Sequence, residues 1–239
     1  MTDEPDGAPT ADAHRVRRSS LGLGLAVGAY GIGFGALAVA NGLSVLMAVA
    51  MSLLVFTGAS QFAFIGVVGA GGSPFSGVAT ALALGARNTF YGLRMAPTLQ
   101  ARGGRKLLAA QITIDESTAM AMSQPTQELA RVGFWTTGTA VFAFWNIATL
   151  VGAVATEQIS DPRTIGLDAA VGAAFLALLW PQLTTRTHRL VAGASAVLAL
   201  LLTPVLPPGI PVLLTAAVGI AVAWPEPLRP AGRHGGPHD

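Results

Sequence analysis

Long apolar segments, separated by short polar or glycine- and proline-rich stretches, dominate this chain. Residues 19 to 86 contain no Asp, Glu, Lys, Arg or His, and a soluble domain rarely keeps so long a run uncharged because most of its elements need one hydrated face. A helix needs about 20 apolar residues to cross a bilayer. Seven candidate spans follow: 19–41, 44–71, 75–97, 132–154, 167–183, 190–206 and 210–224. The pattern predicts an all-α, polytopic integral membrane helix bundle with six to seven transmembrane segments.

Composition agrees with a membrane protein. Hydrophobic residues make up 52% of the chain and charged residues 11%, against about 25% charged residues in soluble domains. The absence of cysteine excludes disulfides and thiolate metal sites, and we expect neither a cofactor nor a metal. The net charge of +2 does not indicate nucleic-acid binding, because the arginines are spread over short loops, where they orient membrane proteins.

Three regions are predicted along the chain. Residues 1–18 are acidic, small and proline-containing, which is typical of a disordered tail. Residues 19–224 are predicted to form a single transmembrane transport domain, and residues 225–239 a second disordered tail. A chain of 239 residues leaves no room for a separate soluble domain beside these spans.

Basic residues in short loops predict the orientation in the membrane. Both termini and four basic clusters should be cytoplasmic: 15–18, 102–106, 186–189 and 229–233. Three complete crossings between the first two clusters would place them on opposite sides. The rule is satisfied if segment 44–71 is broken or re-entrant, so that two half-helices around its polar centre enter and leave the membrane on the same side. Loop 155–166 then lies on the outer side of the membrane. The alternative is a continuous 44–71 span, with an extra crossing at 107–123 or one exception to the rule.

The glycines of the first span favour close packing of helices. Gly24, Gly28, Gly31 and Gly35 recur at three- and four-residue spacing, so they lie on one helix face and allow a neighbouring backbone to approach. We interpret them as packing positions rather than ligand contacts.

A polar cluster interrupts the charge-free stretch at Thr57, Gly58, Ser60 and Gln61. If residues 57–61 are helical, the side chains of Thr57, Ser60 and Gln61 share one face. If the helix breaks there, these side chains lie close to backbone amides that have lost their helical hydrogen bonds. Such groups can replace water around the carboxylate and ammonium of a small zwitterion, and Gly58 lets the backbone approach it. Hydrogen bonding between helices explains the cluster equally well from the residues alone.

Arg87 and Asn88 lie near the middle of 75–97, where a guanidinium costs about 2.5 to 3.5 kcal/mol to insert. Arg87 therefore needs a partner, and the nearest acids are Asp115 and Glu116 in the amphipathic stretch that follows. The pair could be purely structural, or these residues could bind a substrate carboxylate and carry a coupled ion or proton.

Two further polar residues complete the predicted substrate-binding set. Tyr91 lies one turn after Arg87. Asn146 lies near the middle of 132–154, where its side-chain amide needs a hydrogen-bond partner. The neighbouring Trp145 can form a cavity wall. No catalytic or metal-binding residue is predicted.

Four motifs together resemble the AzlC family. They are FTGASQFA at 56–63, GARNTFYGL at 85–93 with Ala96-Pro97, TIDE at 113–116 and GLDAA at 166–170. This family comprises large subunits of bacterial branched-chain amino acid exporters, which work with a small membrane subunit of the AzlD type. The resemblance extends from about Leu21 to Trp224. It departs at Gly85 and Asn88, where the family is expected to have Asn and His.

The resemblance implies a secondary transporter subunit that exports branched-chain or other hydrophobic amino acids across the bacterial cytoplasmic membrane. Its expected partners are an AzlD-type subunit, a zwitterionic amino acid and the lipid bilayer. We expect proton coupling because the chain has no nucleotide-binding motif, and we do not expect an enzyme. Two alternatives remain: an intramembrane enzyme with Ser60 as nucleophile, although no histidine lies in a span to act as its base, and a non-transporting membrane assembly subunit.

Overall fold

The computed structural model describes residues 8–159, 176 and 179–223. Within these ranges the chain is helical and has no strand. The helices are α1 (Ala8–Gly28), α2 (Tyr30–Ala40), α3 (Val45–Leu54), α4 (Gly58–Gly69), α5 (Pro74–Gly85), α6 (Arg87–Leu99), α7 (Gly104–Gln111), α8 (Asp115–Met122), α9 (Gln127–Glu157), α10 (Arg186–Leu202) and α11 (Ile210–Ala223), and a 3₁₀ turn at Trp180–Gln182 precedes α10. The predicted 225–239 tail and most of the predicted 167–183 span lie outside the described residues.

Two helical stretches are long and apolar enough to cross a membrane by length and composition. They are Ala11–Ala40, which joins α1 to α2 with a small interruption at Ala29, and Gln127–Glu157, which is α9. The shorter helices α3 and α4 are also apolar. These helices are compatible with the predicted membrane bundle, while the count of six to seven crossings stays a prediction.

The N-terminal helix begins earlier than the sequence predicts. Residues 8–18, which we assigned to a disordered tail, form the first turns of α1. Val16 in this part is buried and lies against Gly133 of α9, and Ser20, one turn further on, accepts a hydrogen bond from Thr137 Oγ1 at 2.9 Å. The tertiary contacts with α9 therefore extend the helix beyond its apolar segment.

Glycines set the distance between the first two helices and α9. A Cβ added at Gly24 would lie 2.6 Å from Ala140 Cβ, and one added at Gly31 would lie 2.5 Å from the backbone oxygen of Trp145. Gly28 and Gly35 face α9 in the same way. The prediction that these four glycines are packing positions is confirmed, since any side chain there would push the two helices apart.

Segment 44–71 is broken, as one of the two sequence interpretations predicts. Helix α3 ends at Leu54 and α4 begins at Gly58, so the continuous span is wrong, whereas the re-entrant path stays a prediction. Two glutamines stabilise the end of α3: Gln61 Nε2 donates to Met51 O at 3.1 Å and Gln111 Nε2 donates to Leu53 O at 2.8 Å.

Two further breaks were not predicted. Segment 75–97 is interrupted at Ala86, between α5 and α6. Segment 107–123 divides into α7 and α8, so a continuous extra crossing there is wrong. The second break has a local cause, because Ser117 Oγ accepts from the amide of Ile114 and donates to the carbonyl of Ile112. A hydroxyl that bonds nearby backbone groups in this way competes with the helix.

Candidate functional site

The chain breaks place the first residues of three helices around one cavity of about 630 Å³. The starts of α4, α6 and α8 line it, together with the middle of α9 and residues from α1, α2 and α5. Cavities that bind small ligands have volumes of roughly 300–1,000 Å³. The cavity is therefore large enough for an amino acid, and it lies where backbone hydrogen bonding is interrupted.

The wall of this cavity carries buried polar atoms that have no hydrogen-bond partner among the described residues. Six of its lining residues contribute one each: Thr57 Oγ1, Arg87 Nε, Asn88 Oδ1, Asp115 Oδ1, Thr118 Oγ1 and Trp145 Nε1. Leaving a buried polar group unpaired costs about 1–3 kcal/mol, so native structures rarely leave several in one place. These atoms need hydrogen-bond partners from water or a polar ligand in the cavity, which makes the cavity the candidate site.

An ion pair crosses the polar side of the cavity. Arg87 Nη2 lies 2.8 Å from Asp115 Oδ2, joining the start of α6 to the start of α8, which confirms the prediction that Arg87 is paired with Asp115 or Glu116. Tyr91 lies beside Asp115, and Glu116 also lines the cavity. The pair leaves Arg87 Nε and Asp115 Oδ1 for other partners.

The first turn of α4 offers backbone amides to the same cavity. Thr57 O accepts from Ser60 N at 2.8 Å and from Gln61 N at 3.4 Å, so the amides of Gly58 and Ala59 precede the first bonds of the helix. Both residues line the cavity. The positive end of the α4 dipole is therefore directed at the site.

Apolar residues also line the cavity. They include Val27, Leu84, Ile114 and Val141, together with the ring of Trp145. This ring is fixed by two aromatic contacts, a stacked one with Phe34 at 6.1 Å between centroids and an edge contact with Phe62 at 6.3 Å. The cavity thus offers both charged groups and apolar surface for a side chain.

The structure brings seven of the ten predicted site residues to this cavity: Thr57, Gly58, Arg87, Asn88, Tyr91, Asp115 and Glu116. The other three point elsewhere. Ser60 Oγ faces Gly85 of α5, Gln61 bonds to α3, and Asn146 Nδ2 donates to Phe142 O within its own helix at 2.8 Å.

Sequence reasoning missed three polar residues of the cavity wall, Tyr30, Thr118 and Gln182, and one role. Thr118 was not selected, although it lies three residues after Asp115 and so shares its helix face. Tyr30 was also missed, although it is one of only two tyrosines in the chain. Trp145 was expected as a wall, but its unpaired Nε1 could not be foreseen, because the partners of an indole depend on the packing around it.

Comparisons with known proteins agree with the motifs. The profile of the AzlC protein family matches residues 22–159; the resemblance inferred from the motifs extended further, to about Trp224. An uncharacterized membrane protein of Helicobacter pylori (strain ATCC 700392 / 26695) is 28% identical over 171 residues, which cover 71% of this chain and 75% of that protein. No solved structure matches the chain. The chain belongs to the AzlC family of membrane proteins.

Proposed function

We propose that this chain is the substrate-carrying subunit of a secondary transporter in the bacterial cytoplasmic membrane. It exports branched-chain or other hydrophobic amino acids, is driven by proton coupling, and works with a small membrane subunit of the AzlD type. Both termini are cytoplasmic in this proposal. The AzlC family is associated with membrane transport rather than with an enzymatic activity, which supports the class of function.

One observation carries the proposal: a single cavity combines unpaired polar atoms and both signs of charge with an apolar wall. An α-amino acid needs donors for its carboxylate, acceptors for its ammonium and an apolar surface for its side chain. The α4 amides, the Asp115 carboxylate and the wall at Val27 and Val141 supply these three in turn. This combination favours an amino acid with an apolar side chain.

Proton coupling is supported by the acids of α8. Asp115 and Glu116 both line the cavity, and Asp115 keeps one buried oxygen without a partner among the described residues. A carboxylate inside a membrane protein that faces a substrate site is the usual carrier of a coupled proton. Competition between a proton and Arg87 for Asp115 would link proton binding to substrate binding.

The enzyme alternative finds no geometric support. Ser60, the nucleophile it needs, faces Gly85 rather than lining the cavity. The histidines inside the described ranges, His14 and His188, are exposed on α1 and α10. A serine nucleophile needs a base within hydrogen-bond reach, and this arrangement does not provide one.

The proposal is tested by an export assay in a bacterial strain that lacks its own amino acid exporters. Cells that express the full chain with its small partner are loaded with leucine, and the initial rate of efflux is divided by the amount of folded protein. Gly58→Val should lower this rate at least about tenfold, because even a Cβ there would lie 3.3 Å from the Trp145 ring. The matched control is Gly22→Val, which lies in open space, and we expect it to retain the rate.

Two results would contradict the proposal. If cells with and without the intact chain lose leucine at the same rate, the chain does not export it. If the purified complex in liposomes cannot move leucine against its gradient under an imposed proton gradient, the chain is an assembly subunit or a passive channel.

A further inference from the structure

We propose that the carboxylate of the substrate binds at the N-terminus of α4, between Thr57 and Trp145, and that Arg87 is a positioning residue rather than the carboxylate ligand. This inference rests on the proposed function, since it assigns the two ends of an amino acid within that same cavity.

The N-cap of α4 differs from those of other helices in the described ranges. Four other helices in the described ranges begin with a Ser or Thr whose hydroxyl accepts a backbone amide of its own first turn: Ser44, Ser73, Thr126 and Thr185. Thr57 occupies the same position before α4, yet its side chain makes no capping bond. The N-cap of α4 is therefore left to an acceptor from outside the helix.

The indole of Trp145 supplies a further hydrogen-bond donor to the cavity. This residue is 4% exposed and lines the cavity, and its Nε1 has no partner in the described part of the chain. The ring lies against the first residue of α4, with Cη2 3.3 Å from the position of a Cβ on Gly58. An indole N–H can only donate. Both the indole N–H and the α4 amides therefore require an acceptor, and both belong to residues that line this cavity.

The positive charge of Arg87 is balanced within the protein. Its guanidinium is already paired with Asp115 at 2.8 Å, so little net positive charge remains on that side. Asp115 keeps its second oxygen unpaired, and Glu116 lines the cavity next to it. Acceptors thus collect at the start of α8 and donors at the start of α4. A zwitterion fits this polarity with its ammonium at α8 and its carboxylate at α4.

The absence of a side chain at Gly58 completes the site. Because no Cβ covers the first amide of α4, a carboxylate can approach the backbone closely. The Thr57 hydroxyl, which is also unpaired in the described structure, can donate to the second carboxylate oxygen. Backbone amides, a hydroxyl and an indole together bind the carboxylate without any formal positive charge on a side chain.

The test compares two probes that differ only at the carboxylate. Equilibrium binding of leucine and of leucinamide is measured on the full chain in nanodiscs with its small partner. Trp145→Phe keeps an aromatic ring but removes the N–H. We expect it to weaken leucine binding at least about tenfold, the loss of one hydrogen bond to a charged group, and to weaken leucinamide binding by clearly less, because its neutral carbonyl accepts a weaker hydrogen bond.

Control variants make the ratio of the two affinities the decisive readout. Trp135→Phe, on α9 but outside the cavity lining, should leave the leucine to leucinamide ratio unchanged. Thr57→Val, a second and milder change at the site, should lower the ratio in the same direction as Trp145→Phe. Arg87→Gln should weaken both probes together, because its effect passes through Asp115 to the shared ammonium.

Three outcomes would overturn the inference. An unchanged ratio in both Trp145→Phe and Thr57→Val, with leucine still bound by the unaltered protein, would reject the α4 site and leave the proposed transport function intact. A ratio that falls only in Arg87→Gln would assign the carboxylate to Arg87. Failure of the unaltered complex to bind either probe would reject the proposed function together with this inference.

Discussion

The ion pair between Arg87 and Asp115 offers the most direct test of the cavity geometry. It joins α6 to α8 with one contact of 2.8 Å between Nη2 and Oδ2. The test is a double-mutant cycle that consists of Arg87→Ala, Asp115→Ala and the double variant. Each single change leaves one charge without its partner, while the double variant removes both, so the cycle isolates the interaction between them.

The size of the coupling follows from distance and exposure. Two unit charges at this separation attract by about 6 kcal/mol at an effective dielectric constant of about 20, and by about 1.5 kcal/mol in bulk water. The side chains are 42% and 39% exposed, which places the pair nearer the aqueous limit. We therefore expect a coupling free energy of about 1–2 kcal/mol, after screening and the cost of fixing two side chains.

Unfolding of the purified protein in mixed detergent micelles gives the coupling in stability, and leucine efflux from loaded cells gives its effect on transport. The double variant should recover much of the stability that either single variant loses. It should not recover export, because both residues line the substrate cavity. Recovery of stability and export together would mean that the pair only holds α6 against α8.

Glu116→Ala provides the control acid, since this neighbour also lines the cavity but makes no ion pair with Arg87 within the described structure. Its coupling to Arg87→Ala should be clearly smaller than that of Asp115→Ala. Additive losses for Arg87 and Asp115, within about 0.3–0.5 kcal/mol, would refute the pairing. A larger coupling with Glu116 would reassign the partner.

Three further predictions follow from packing, cavity lining and topology. Gly35→Ala should destabilise the protein by about 1–3 kcal/mol, since its Cβ would collide with a backbone carbonyl of α9. The control Gly33→Ala lies in open space and should be neutral or stabilising by up to about 1 kcal/mol. Equal unfolding midpoints for the two variants would contradict this prediction. Gln61→Leu should change efflux per folded molecule by less than about twofold, because its amide bonds to α3 rather than lining the cavity, and a tenfold loss would return it to the site. Single cysteines at Gly104 and Asp161 should react with an impermeant maleimide from opposite sides of the membrane, and labelling from one side would refute the re-entrant topology.

The high cost of a charge inside a membrane made the acidic partner of Arg87 predictable from the sequence. A guanidinium in an apolar segment needs an anion, and the absence of any acid between Arg18 and Asp115 left few partners. That scarcity predicts Asp115 or Glu116 as the partner of Arg87, and the structure selects Asp115. In the same way, glycines at three- and four-residue spacing predict a close helix contact without a structure, because only their lack of a side chain permits it.

The orientation of neighbouring residues was not predictable. Thr57 and Gly58 line the cavity, while Ser60 and Gln61 face α5 and α3. Successive residues on a helix differ by about 100° in direction, so the rotation of α4 decides which of them reach the substrate. That rotation is set by the packing of α4 against α5 and by the hydrogen bond from Gln61 to α3, which sequence periodicity does not contain.

The sequence by itself therefore determined the helical membrane class and the need of Arg87 for an acidic partner at Asp115 or Glu116, because hydrophobic transfer and charge burial depend mainly on residue type. It left the break near Thr57 as one of two alternatives, and the structure decided between them. Only the tertiary structure decided that the starts of α4, α6 and α8 share one cavity with Trp145. The breaks at Ala86 and before α8 create this meeting point. The break before α8 is a local effect of the Ser117 hydroxyl. The meeting of the three helix starts depends instead on packing between segments distant in the chain, as in the approach of Gly58 to the Trp145 ring, and such packing has no signature in the local sequence.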